Sequence, residues 1–190
     1  MIFETIITTL NPDATPHIAP MGVQREGDLL VLAPFRPSST LENLQRSREA
    51  VMNLTDDVRV FAGCVSGRRR NWPVRPARSV NGCVLEGALS HVELKVERMD
   101  EDAVRPRFFC RAVESATHAP FRGFNRAQAA VIEAAVLTSR LDRLPASKID
   151  AEIEYLRIAI DKTAGERERM AWDWLMQRVA EHRAAAGVHS

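Results

Sequence analysis

Apolar and polar positions alternate with a period of two through the first two thirds of the chain, and a helical spacing replaces that pattern near His118. Ile2, Glu4, Ile6 and Thr8 interleave with Phe3, Thr5, Ile7 and Thr9, a β-branched run that predicts a strand. A Pro- and Asp-containing turn at 11–16 leads to a second predicted strand from His17 to Val23. The turn Arg25-Glu26-Gly27-Asp28 then opens a third strand, Leu29 to Phe35, whose apolar run predicts burial on both faces. Ser38-Ser39-Thr40 starts a short helix with Leu41 and Leu44 inward, and Ala50 to Thr55 follows as a strand. Residues 56–79 read as irregular. Cys83 to Leu89 and His91 to Arg98 read as a β-hairpin, and Arg107 to Ala116 as a further strand.

Beyond His118, Ala127, Ala130, Val131, Ala134, Leu137 and Leu141 recur at helical intervals until Pro145. Ser147 with Asp150 resembles a capping box for a second helix, striped by Ile149, Ile153, Leu156 and Ile160. Gly165 permits a stop before a third helix carrying Met170, Trp174, Leu175 and Val179. Strands followed by helices predict an α+β plan: a mainly antiparallel barrel domain over 1–118, a helical subdomain over 119–185 and a frayed tail over 186–190.

Composition narrows the functions. The chain has 190 residues, 45% apolar, with a net charge of +1, so no global field points to nucleic acid or an anionic membrane. MIFETIITTL lacks a basic leader and reads as a strand, and no apolar run is long enough to cross a membrane; a cytoplasmic protein is the expectation. Cys64, Cys83 and Cys110 form no CxxC pair and read as reduced, buried thiols. Phosphate-loop, dinucleotide-loop, HExxH and GxSxG motifs are all absent, and His17, His91, His118, His182 and His189 are scattered, so neither a metal site nor a catalytic residue is assigned.

Chemistry concentrates in residues 17–57. Ala19 and Gly22 offer small side chains against which a flat ligand could lie. Phe35-Arg36 precede three hydroxyl residues, Ser38, Ser39 and Thr40, at a helix N-terminus. There, free amides and the helix dipole favour a phosphate, with a guanidinium close in sequence. Asn43 lies one turn further, and Asn53 sits in the next strand. Each of these residues also has a purely structural reading, since Ser and Thr cap helices without binding anything.

In order, the chain shows a strand with APMG, a hairpin, an arginine, a helix start with T-x-x-N and a V-x-N strand. This resembles the FMN-binding split-barrel superfamily of flavin reductases, flavoredoxins and pyridoxamine-phosphate oxidases. Within it, Pro20–Val23, Ser38–Leu44, Val51–Asp57 and Phe124–Leu141 are similar to the DUF447 family. The resemblance implies a split β-barrel with a C-terminal helical part, FMN as cofactor, and a homodimer with FMN near the subunit interface. It implies that Phe35, Arg36, Ser38, Ser39 and Thr40 gather at the phosphate and that Asn43 supports the phosphate or ribityl end. Ala19, Pro20, Met21, Gly22 and Asn53 would flank the isoalloxazine. It also implies an FMN-dependent oxidoreductase acting on a small molecule, with a family association to tetrahydromethanopterin synthesis. The alternatives are a non-catalytic flavin- or ligand-binding protein and a cofactor-free, nucleic-acid-associated protein using Arg68-Arg69-Arg70. For the arginine run, a solvated loop and a substrate clamp both stand, the latter together with Asn125 and Arg126. Asn125 equally suits the N-cap of the helix from Arg126.

Overall fold

The computed structural model describes residues 1–187 and divides into two compact units: residues 1–56 with 71–121, and 57–70 with the chain from 122 onward. The first unit is a closed six-stranded antiparallel barrel in the order β1-β2-β3-β8-β7-β4. Its strands are β1 (Ile2–Leu10), β2 (Pro16–Glu26), β3 (Leu29–Leu32), β4 (Glu49–Leu54), β7 (Ser90–Asp100) and β8 (Arg107–Thr117). A separate two-stranded ribbon pairs β5 (Val74–Pro76) with β6 (Cys83–Leu85). Helix α1 (Ser39–Ser47) buries Leu41 and Leu44 with Ile7, Val23, Leu32, Met52, Leu94 and Phe108 in the barrel core. Each such leucine contributes about 1.5–3 kcal/mol of burial.

Proline sets two features of the barrel. Pro20 pairs with Ile6 of β1, but its other side carries no partner, because β3 joins β2 only from Val23 to Glu26. A residue without an N–H fits that open edge. Pro34 ends the third strand early. The expected span to Phe35 stops at Leu32, and Arg105 satisfies the Ala33 carbonyl through Nε and Nη2 at 3.0 and 2.8 Å.

The hairpin expected between Cys83–Leu89 and His91–Arg98 does not form. Instead β7 pairs with β4 and β8, while β6 folds over β4 and β1, held where the Leu85 amide donates to Asn53 Oδ1 at 2.8 Å. Two eleven-residue strands match better than a three-residue strand could. The β7–β8 ladder carries a register shift between Glu93 and Leu94, a bulge of the kind that re-aims neighbouring side chains.

The second unit contains α2 (Arg59–Ser66), α3 (Arg126–Thr138), α4 (Ala146–Thr163) and α5 (Glu166–Gly187). Helix α2 corrects the irregular reading of 56–79. With two valines, a glycine and no side-chain cap it has weak intrinsic propensity, and its stability comes from packing on α3 and α5. Ala62, Ala130, Val131, Ile153, Trp172 and Leu175 share this unit's core. The capping box at Ser147 is also corrected: the cap position of α4 is Pro145, without a side-chain bond. Of the expected frayed tail, 186–187 continue α5 and 188–190 lie outside the described residues.

Candidate functional site

The N-terminus of α1 is built from polar groups that bond to neighbouring strands and loops. Ser38 takes an extended backbone (φ −162°, ψ 151°), and its Oγ accepts from the Leu41 amide at 3.3 Å. The Ser39 and Thr40 amides precede the first helical acceptor and so have no partner within the helix. The side chain of Ser39 is exposed, whereas Thr40 is buried with Oγ1 3.0 Å from His17 Nε2. Asn43, 2% exposed, donates to Thr9 Oγ1 at 3.0 Å and Asn11 Oδ1 at 3.1 Å, and accepts from Arg46 at 3.2 Å. Its amide therefore locks α1 onto β1. The donors facing outward are the exposed Ser39 hydroxyl and the helix amides at the positive end of the dipole, a set suited to a phosphate.

The other expected cofactor residues distribute around this terminus. Arg36 pairs with Glu101 Oε2 at 3.0 Å, and its own amide donates to the Val104 carbonyl. Phe35 lies exposed under the Arg105 guanidinium, 4.5 Å from the ring centroid. Ala19, Pro20, Met21 and Gly22 are half-buried on β2. Met21 packs toward the barrel core, and Ile2 Cγ2 sits 2.9 Å from where a Cβ on Gly22 would stand, so only glycine allows that approach. Asn53 is fully buried. Its Nδ2 donates to the Ile6 carbonyl at 3.1 Å and Thr8 Oγ1 at 3.2 Å, and its Oδ1 is taken by Leu85. Both ends of its amide are thus engaged in joining β4 to β1 and β6.

A second polar cluster lies further round the same barrel. The register aligns Pro20, Ile6, Asn53, His91 and Ala116 in one row across β2, β1, β4, β7 and β8, so their side chains share a face. Glu93, two residues along β7, is fully buried and accepts amides from Arg78 at 2.8 Å, Ser79 at 2.6 Å and Val80 at 3.0 Å. Burial raises the affinity of this carboxyl for a proton, but those amides together with His91 outweigh it and hold Glu93 below the ordinary glutamate range. His91 Nε2 stands 3.3 Å from Glu93 Oε1, and His91 Nδ1 is 2.8 Å from His118 Nε2. The two imidazoles are nearly parallel, with centroids 5.0 Å apart. Arg75 Nη2 completes the chain, 2.8 Å from His118 Nε2. Desolvation, then Arg75, then His91 push the exposed His118 below the usual histidine range. In the sequence, His118 stands out for its place near a junction and Arg75 for its place in the basic segment that follows Arg68-Arg69-Arg70. The legible signal for the others is the i, i+2 pair His91/Glu93, which a strand puts on one face.

In the helical unit, Arg68 pairs with Glu181 of α5, and the Arg69 amide donates to the Gly63 carbonyl at 3.2 Å. A Cβ on Gly63 would lie 2.7 Å from the Arg69 carbonyl oxygen, so the arginine turn depends on that glycine. Arg70 and Arg126 are exposed. Asn125 caps α3, accepting from the Ala127 and Gln128 amides at 2.8 and 3.2 Å and donating to the Thr163 carbonyl at 3.1 Å. The cap reading accounts for its whole side chain. Cys83 and Cys110 are buried, and burial pushes the Cys110 thiol up to about 12, which keeps it protonated.

Comparison with known sequences decides the family. A profile described as the N-terminal domain of a protein of unknown function, DUF447, matches residues 3–119, and a second DUF447 profile matches 125–177. The chain belongs to the DUF447 family. No curated protein sequence matches this DUF447 chain. Among solved structures, an FMN-bound DUF447 protein from Methanosarcina mazei is similar over 93% of this chain and 94% of its own, at 20% identity and a TM-score of 0.82. A flavoredoxin from Methanosarcina acetivorans covers 62% of this chain and 69% of its own (15% identity, TM-score 0.55). A 2-nitrobenzoate 2-nitroreductase from Pseudomonas fluorescens covers 60% and 64% (19% identity, TM-score 0.52). The DUF447 chain therefore has the split-barrel fold expected of it. Among the described residues, no helix is long and apolar enough to cross a membrane.

Proposed function

We propose that this DUF447 protein is an FMN-binding flavoprotein, working as a cytoplasmic homodimer and transferring electrons to or from a small molecule. The observation that carries the reading is the α1 N-terminus. Two separate bonds, buried Asn43 to Thr9 and buried Thr40 to half-buried His17, hold the helix in place while its first amides and the Ser39 hydroxyl face outward. Such a terminus suits the FMN phosphate, and the FMN-bound relative of the same architecture supports that choice. In this reading Ser38, Ser39 and Thr40 hold the phosphate, while Arg36 acts from the loop between β3 and α1, where it pairs with Glu101. The half-buried edge Ala19–Gly22 offers the ring a backbone to lie against. Asn43 and Asn53 serve by keeping these elements in register.

When bound, the flavin supplies the redox chemistry, and the chain supplies orientation and a shielded surface. Exposed Ile2, Phe3, Phe35 and Val104 give the barrel unit apolar surface that a second copy would cover. A pterin substrate rests on family association alone. The test is the visible spectrum of the purified protein, then its FMN titration, then reduction of bound FMN by NADH or NADPH. Flavin bands and reduction faster than for free FMN support an oxidoreductase. Tight FMN binding without accelerated reduction moves the reading to a flavin carrier, and a colourless protein without FMN affinity removes it.

A further inference from the structure

Helix α4 packs on one side only. Ile149, Ile153 and Ile160 are buried in the core of the helical unit, with Leu156 half-buried beside them. The opposite side carries Ile158, 50% exposed, and Tyr155, 75% exposed and the sole tyrosine of the chain. Single exposed apolar residues are ordinary on a surface, but these two stand one turn apart and form one patch. Ala151, exposed two turns before Ile158, continues its line along the helix.

Charge is sorted about that line. Glu154 and Asp161 flank it on one side, and Tyr155 and Lys162 flank it on the other. All four are exposed, and among the described residues Glu154, Asp161 and Lys162 enter no ion pair.

We propose that this face of α4 pairs with the same face of a second copy, about a two-fold axis running parallel to the helix. The sign of the flanks sets that direction. A two-fold along the helices lays the acidic flank of one copy against the Tyr155 and Lys162 flank of the other. A two-fold across them lays acidic flank on acidic flank, which like charges oppose. In the parallel pair Asp161 meets the partner's Lys162 at nearly the same level. Glu154 meets the partner's Tyr155, whose hydroxyl donates to it. The two Ile158 side chains meet at the axis, and the small Ala151 lets the helices approach one turn pair earlier. One helix pair buries less than the roughly 1,200 Å² of stable complexes, so the contact is weak, concentration-dependent and additional to the apolar barrel surface.

The test traps the contact in the full chain. Ala151→Cys should give a disulfide-linked dimer under mild oxidation, because a parallel two-fold brings that position against itself. A two-fold across the helices at Ile158 would hold the two positions about 20 Å apart. The wild-type chain is the blank for its own cysteines, and Arg157→Cys, outside the two flanks, should not link. In the Ala151→Cys chain, Lys162→Asp should slow linking about tenfold by removing both pairs and setting acid against acid. Exchanging the charges, Asp161→Lys with Lys162→Asp, should restore it. All these positions are exposed, and circular dichroism checks the fold. No linked dimer from Ala151→Cys, equal linking by Arg157→Cys, or no rescue by the exchanged pair overturns the proposal and leaves the face to a different partner. No residue assigned to the flavin lies on α4, so none of these results bears on the flavin reading.

Discussion

Two polar clusters on one barrel handle hydrogen bonding in opposite ways. At the α1 end, Asn43 bonds Thr9 and Asn11 while Thr40 bonds His17, and the helix terminus lies beside them. At the β7 end, Glu93, His91, His118 and Arg75 are ionisable, and the chain runs from a fully buried carboxylate to an exposed ring. The first arrangement fixes a shape to which a ligand can be added. The second links a buried carboxylate to the surface through two imidazoles. The difference teaches that burial alone does not mark function. Asn53 and Glu93 are both fully buried and hydrogen-bonded, yet only Glu93 lies in a chain that reaches solvent.

Removing one partner from the ionised cluster should produce the largest effect. Glu93→Ala leaves three amides and His91 without their acceptor and should cost about 3–5 kcal/mol in chemical denaturation. Asn43→Ala, in the α1 cluster, should cost less, about 1–3 kcal/mol, because it leaves no charged group without a partner and water can reach the half-buried Asn11. Ser38→Ala removes the α1 cap and should cost about 1 kcal/mol. A reversed order for Glu93→Ala and Asn43→Ala would break the comparison.

Acid sharpens it. Glu93 binds its proton more weakly folded than unfolded, so between the folded value and the ordinary 4.5 the unfolded chain holds the extra proton. Its contribution is therefore complete above pH 4.5 and is lost as pH falls through the folded value. His118 has the same sign, its contribution being complete above 6.5 and declining below it. Denaturation midpoints measured down a pH series should fall in both windows, and Glu93→Gln should flatten the lower one.

How far each cluster could be read from the sequence follows from its spacing along the chain. Ser38, Ser39, Thr40 and Asn43 fall within one helical turn and a half, so capping rules and the dipole point to them directly. What stays hidden there is that Arg36 turns to Glu101 and that Asn43 is spent on Thr9, since both partners are distant in the chain. The ionised cluster joins residues 75, 91, 93 and 118 and needs the β7–β8 register before it exists at all. Pairing Cys83–Leu89 with His91–Arg98 hides it, whereas the ladder His91↔Ala116 brings His118 alongside. Helix α2 was illegible for a different reason: packing overrides the weak propensity of RVFAGCVS.

The most direct test of the flavin reading compares FMN with riboflavin, which differ only by the phosphate assigned to α1. Titration of apoprotein by flavin fluorescence should give FMN an affinity about two orders of magnitude above riboflavin. That advantage should shrink when Ser39 is replaced by proline, which removes the Ser39 hydroxyl and one outward amide together. Equal affinities for the two flavins, or no saturable binding of either, would contradict the assignment.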